Sequence, residues 1–134
     1  MIHRIEHTTI TVRDVGRSIG FYTTLLGFVV DHEINIPESS LRIVFLRLGD
    51  TMLELFSVPE TKGEALSDNN QVVGFKHICL LVDDVDSEYK RLSSAGVRFR
   101  SSPTTVNQIV RVAFMKDPDG IDIELLSHLD KEKE

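Results

Sequence analysis

Apolar and polar residues alternate along this chain with two different periods, and the switches between them divide it into elements. From Ile5 to Val12 the period is two: Ile10 and Val12 face one way while His7, Thr9 and Thr11 face the other, the pattern of a half-buried strand. Asp14 then predicts a helix N-cap. Val15, Ile19, Tyr22 and Leu26 follow at spacings of four, three and four, and Gly27 supplies the left-handed stop. Three extended runs come next: Phe28 to Ile36, Leu41 to Leu48 after a Pro37-Glu38-Ser39-Ser40 turn, and Thr51 to Ser57 after Gly49-Asp50. This first stretch reads βαβββ, with the helix stripe of Tyr22 and its neighbours, Phe21 included, turned to the core.

The same order then recurs. Phe75 to Val82 predicts a strand and Asp84 to Ala95 a helix stopped by Gly96; Val97 to Ser101, Ile109 to Lys116 and Ile121 to Ser127 predict three more strands. Between the copies, Val58 to Gly74 carries Pro59, Gly63, Asp68, Asn69 and Asn70 with little apolar period, which predicts a flexible connection able to cover a pocket. The reading is an α+β fold in a single domain over 1–134. It comprises a first module over about 1–57, a linker over about 58–74, a second module over about 75–128 and a charged, frayed tail over 129–134.

The repetition extends to polar residues. His7 and Glu54 stand 47 positions apart, as do His77 and Glu124, and an offset of 70 also lays Val12 on Val82, Asp14 on Asp84, Val15 on Val85 and Leu55 on Leu125. Strand parity turns both histidines away from the helix-covered face. Glu54 sits between Leu53 and Leu55, and Glu124 between Ile123 and Leu125, so each carboxylate shares the face of its own histidine. A lone His and Glu on a strand would read as an ordinary ion pair. Two carboxylates inside a sheet need partners, and a divalent cation neutralises both while accepting two neutral imidazoles. Equal spacing in both copies favours the metal reading, with His7, Glu54, His77 and Glu124 as the ligand set once two curved sheets join. Such nitrogen and oxygen donors suit Zn²⁺, Ni²⁺, Co²⁺, Mn²⁺ or Fe²⁺.

Composition narrows the partners. With 134 residues, of which 41% are hydrophobic, the chain can bury one core, while either half alone would be marginal. A net charge of −6 without a basic cluster argues against nucleic acid and leaves a small molecule as the expected ligand. Cys79 alone forbids an intrachain disulfide. The opening Met1-Ile2-His3-Arg4-Ile5-Glu6 lacks an apolar run, and no segment has the length of a membrane span, so a cytoplasmic protein is expected. Cys79 shares the parity of His77 and reads as a small buried hydrophobe rather than a nucleophile. His3, His32 and His128 have no counterpart under the offset and read as surface residues. Arg42, Arg47 and Arg111 lie on predicted strands and read as solvated edge residues rather than holders of an anionic substrate. Asp117-Pro118-Asp119-Gly120 reads as a hairpin turn, not a Ca²⁺ loop.

Taken together, several of these pieces resemble the vicinal oxygen chelate superfamily, the glyoxalase/bleomycin-resistance/dioxygenase fold. They are the His7-Thr8-Thr9-Ile10-Thr11-Val12 opening, Phe21-Tyr22 through Leu26-Gly27-Phe28, Leu53-Glu54-Leu55, His77 to Val82 with Asp83-Asp84-Val85, and Asp117-Pro118-Asp119-Gly120 leading to Ile123-Glu124-Leu125. The resemblance covers the chain from His7 to about Leu126. It implies paired βαβββ modules forming a cupped eight-stranded mixed sheet around a metal, helices outside, often within a homodimer. Ring-cleaving dioxygenases of this fold use two His and one Glu, whereas four protein ligands resemble glyoxalase I. Four ligands leave two sites on an octahedral ion, enough for a substrate with two neighbouring oxygens but not for that substrate and dioxygen together.

The implied chemistry is that of a metal-dependent lyase or isomerase: a proton is abstracted beside the carbonyl of a small α-carbonyl or thioester substrate, with a metal-stabilised enediolate. By resemblance Glu124 is the base and Glu54 a ligand or the base on the opposite face. Lactoylglutathione lyases and acyl-CoA epimerases are the models for it. Glutathione-using members carry Arg where this chain has Thr11 and an aromatic where it has Ile121, so glutathione is not the expected carrier. A metal-free binding or resistance protein and an Fe²⁺ ring-cleaving dioxygenase are the competing readings.

Overall fold

The computed structural model describes residues 1–65 and 69–129; parts of the linker and of the charged tail considered above therefore lie outside the described residues. The chain forms two compact units, Met1–Gly63 and Glu64–Glu134.

The first unit runs β1 (His7–Thr11), α1 (Val15–Gly20), β2 (Val29–Ile36), β3 (Leu41–Leu48) and β4 (Thr51–Ser57), with sheet order β1-β4-β3-β2. β1 lies parallel to β4, while β3 is antiparallel to both β2 and β4. The second unit repeats the plan with β5 (Ile78–Leu81), α2 (Val85–Ser94), β6 (Thr104–Val106), β7 (Val110–Lys116) and β8 (Asp122–His128), ordered β5-β8-β7-β6. Both are four-stranded mixed sheets in the expected βαβββ order.

Caps and stops follow the sequence closely. The Asp14 carboxylate accepts from the Arg17 amide at 3.0 Å and the Asp84 carboxylate from the Ser87 amide at 3.2 Å, each filling an N-terminal orphan donor. Gly27 and Gly96 take φ of 82° and 91°, the left-handed values that favour glycine. In the first unit Val12, Val44, Leu46, Leu53 and Leu55 are buried with Tyr22 of the helical segment; in the second, Ala113, Met115, Ile123 and Leu125 are buried with Val85 and Leu92 of α2. Each fully buried leucine contributes about 1.5–3 kcal/mol of apolar transfer.

The structure departs from the pattern in three places. The first helix ends as α-helix at Gly20 and continues as a π-helical turn over Phe21–Leu25, where the Thr23 hydroxyl donates to the Ile19 carbonyl at 2.7 Å and competes for a main-chain acceptor. β5 begins at Ile78, so His77 stands at its entrance rather than inside it. The expected strand over 97–101 is reduced to a Phe99–Met115 bridge, and the regular edge strand forms instead at Thr104–Val106. Pro103, with no N–H to offer, separates the two.

Candidate metal centre and its surroundings

Register places the polar side chains of the first unit in one row across the sheet. Thr9 pairs with Glu54, Glu54 with Phe45, and Phe45 with His32, so their side chains share a face. Glu54 is only 7% exposed, which makes its partners decisive. The Thr9 hydroxyl donates to its Oε1 at 2.9 Å, and the His7 Nε2 stands 3.5 Å from its Oε2. The His7 ring meets the Phe45 ring edge-on at 5.7 Å, and His32 stacks flat on Phe45 at 4.3 Å.

The second unit builds the same row with altered chemistry. Cys79 pairs with Glu124 and Glu124 with Phe114, while the Arg100 amide donates to the Phe114 carbonyl at 2.8 Å. The His77 Nε2 lies 3.2 Å from the Glu124 Oε1, and its ring meets Phe114 edge-on at 5.2 Å. Where His32 stacks in the first copy, the Arg100 guanidinium lies 4.8 Å from the centre of the Phe114 ring.

Each unit thus brings its sequence-matched His and Glu together. The His7 Nδ1 lies 2.5 Å from the Glu6 carboxylate, a carboxylate–histidine contact of the kind that orients metal-bound imidazoles. When Nδ1–H donates to Glu6, Nε2 offers a lone pair toward Glu54, and two acceptors face each other with a proton or cation required between them. These donors fit a divalent metal chemically. Among the described residues no group of three or more His, Cys, Asp or Glu side chains is placed to hold an ion, and a catalytic ion ordinarily takes at least three protein ligands.

Cys79 is exposed rather than the buried hydrophobe its position suggested. It is nevertheless no nucleophile: desolvation of the sulfur, then its hydrogen bond to Glu124 and the charge there, push the thiol up to about 12. Its role mirrors that of Thr9. His32 is half-exposed as a surface residue would be, yet it is held by Phe45 and by Asp31, whose Oδ2 lies 2.6 Å from its Nδ1. Arg42 is paired with Glu33, Arg47 lies 3.6 Å from Asp31, and Arg111 clasps Asp86 at 2.9 Å. The Arg111 guanidinium, chiefly by hydrogen bonding, holds the Asp86 carboxyl below its ordinary range. The Asp117 carboxylate accepts from the Asp119 and Ile121 amides at 2.8 and 2.9 Å, closing the expected hairpin turn.

The family model of the Glyoxalase/Bleomycin resistance protein/Dioxygenase superfamily matches residues 4–125. The chain belongs to this superfamily. A probable lactoylglutathione lyase of Vibrio cholerae is 31% identical over 131 residues, covering 94% of this chain and 91% of that protein. The mitochondrial methylmalonyl-CoA epimerase of Homo sapiens is 29% identical over 128 residues, covering 91% and 72%. Among solved structures, the trypanothione-dependent glyoxalase I of Leishmania major aligns with a TM-score of 0.76 at 32% identity, covering 94% of this chain and 87% of that one. Superfamily members generally use a divalent metal, and the relatives named here are enzymes of small-molecule chemistry. Among the described residues no helix is long and apolar enough to cross a membrane.

Proposed function

We propose that this protein is a metal-dependent lyase or isomerase of the glyoxalase I type, acting on a small α-carbonyl or thioester substrate. The observation that carries the reading is the duplicated pair: in each unit an imidazole Nε2 lies within 3.5 Å of the glutamate carboxylate of the same unit. His7, Glu54, His77 and Glu124 are the ligand set, completing together what neither pair supplies alone. A bound Zn²⁺, Ni²⁺, Co²⁺, Mn²⁺ or Fe²⁺ supplies Lewis acidity toward the substrate carbonyl.

The chain's own residues do the rest. Glu124 takes the proton from the carbon beside the carbonyl and returns it to the neighbouring position, and its exposed thiol neighbour Cys79 orients the carboxylate by hydrogen bonding. Glu54, gripped by the Thr9 hydroxyl in a more buried setting, is the steadier ligand. His7 and His77 serve as neutral nitrogen donors, fixed by their edge contacts with Phe45 and Phe114. The reading includes a cytoplasmic homodimer, whose assembly sedimentation velocity checks.

Two relatives frame the substrate, one a probable lactoylglutathione lyase and the other an acyl-CoA epimerase. The decisive assay presents metal-loaded and chelated protein with a hemithioacetal and with a 2-substituted acyl-CoA, followed by ultraviolet absorbance and by proton exchange in D₂O. Turnover or exchange that disappears on chelation and returns with metal supports the reading. Silence in both series, with tight retention of a small ligand, would favour a binding protein instead.

A further inference from the structure

His32 faces Phe45 only because β2 is irregular. Val30 pairs with Leu46, and the next residue of the β3 ladder, Phe45, is opposite His32 rather than Asp31. The extra residue is a β-bulge, a device that re-aims a side chain, and it turns the imidazole onto the face that carries Phe45 and Glu54. A regular ladder would have set Asp31 opposite Phe45 instead.

Two contacts then fix the imidazole. The Asp31 Oδ2 lies 2.6 Å from the His32 Nδ1, and the Asp31 Oδ1 lies 3.6 Å from the Arg47 Nε. With Nδ1–H committed to that carboxylate, the ring lies flat on Phe45, 4.3 Å between centroids and 10° between planes. Among the described residues His32 has no other hydrogen-bond or ion-pair partner, so Asp31 and Phe45 set its orientation. The stack also acts on Phe45. A phenyl ring turns about one soft torsion, and turning it under a flat neighbour loses the overlap. The same ring meets His7 at 82° and 5.7 Å, so the plane of Phe45 limits how the His7 imidazole can turn between Glu6 and Glu54.

We propose that His32 is a positioning residue for His7: by lying flat on Phe45 it fixes the plane of that ring, and through it the direction in which the His7 Nε2 presents its lone pair to Glu54 and to a metal. The metal-holding part of this role rests on the functional reading above; the orientation of the His7 ring does not. The second unit keeps the device with another residue. The Arg100 guanidinium lies 4.8 Å from the centre of the Phe114 ring, and Phe114 meets His77 edge-on. A planar group over the phenylalanine thus recurs wherever the histidine–glutamate pair recurs.

The test begins with the metal-free full chain. Long-range ¹H–¹⁵N spectra at pH 8, above the ordinary imidazole range, report which His7 nitrogen carries the proton. The wild type is expected to show one tautomer, protonated on the Nδ1 that faces Glu6, and His32→Ala to show shifts averaged between the two tautomers. Calorimetric Ni²⁺ titration of the same samples is expected to show affinity weakened about tenfold in His32→Ala, the usual worth of a group that orients a metal ligand. His32→Phe, which keeps a flat ring over Phe45, should restore the single tautomer and bring affinity to within about threefold of the wild type. His128→Ala removes an exposed imidazole from the other unit and should leave both measurements unchanged. Unaltered His7 shifts in His32→Ala would overturn the proposal. So would His32→Phe behaving like His32→Ala, because the imidazole would then act in its own right. A wild type that binds no Ni²⁺ removes the functional reading, whereas the His7 tautomer still decides the positioning role.

Discussion

The two units solve the same folding problem with different site chemistry. Both use a strand register that sets a glutamate beside a phenylalanine, and both bring a histidine to that glutamate. They differ in what flanks the row: Thr9 and His32 in the first unit, Cys79 and Arg100 in the second. The shared features are those a common ion would demand of each copy. In the proposed function the divergent ones would distinguish ligand from base, giving the duplicated scaffold a directional site.

Glutamate exchange should expose this asymmetry most strongly. Glu124→Gln, which keeps the shape but loses the proton acceptor, is expected to lower turnover by about 10²- to 10⁴-fold, the usual worth of a positioned general base. Glu54→Gln should act mainly through metal retention, measured by metal content beside steady-state rates. Equal kinetic losses with metal retained in both variants would erase the proposed division of labour.

Core truncation should instead show the units to be alike. Leu55 is fully buried and Leu125 is 1% exposed, so Leu55→Ala and Leu125→Ala are each expected to cost about 2–5 kcal/mol in urea unfolding. A large difference between them would mean that one unit contributes much less than the other to cooperative stability.

Much of this plan was legible in the sequence. Asp14 and Asp84 announced the helices, Gly27 and Gly96 ended them, and Leu41 to Leu48 and Thr51 to Ser57 became strands with the expected bounds. His7, Glu54, His77 and Glu124 stood out because their separations survive duplication. Phe45 and Phe114 did not, although each pairs with its unit's glutamate: hairpin loops of different length put Phe45 nine residues before Glu54 but Phe114 ten before Glu124, so the offset of 70 misaligns them. Allowing one inserted residue in the comparison would have recovered both. His32 was hidden by the bulge between Val30 and His32, which shifts its parity onto the Phe45 row. β6 escaped because Asn107 and Gln108 adopt φ of 51° and 57° without a glycine to mark the turn.

Smaller effects sharpen the contrast between the two rows. With its thiol pushed up to about 12, Cys79 should react with iodoacetamide at pH 8 more than about tenfold slower than a free cysteine, although it is exposed. Rapid alkylation of the native protein would show that burial and the neighbouring Glu124 do not hold the thiol up. Smallest is the clasp on α2. Because Arg111 lowers the Asp86 carboxyl from 3.8, the stability it adds is present above that value and fades as pH falls through the folded-state value. The difference in melting temperature between wild type and Arg111→Ala should therefore be visible near neutrality and shrink below pH 3.8.

The most direct test is metal stoichiometry by mass spectrometry after dialysis from metal-replete buffer, on wild type, His7→Ala and His77→Ala. Retention of one divalent ion per chain by the wild type and its loss in both variants would uphold a single ion served by both copies. A metal-free wild type, or retention unaffected by losing either histidine, would contradict it.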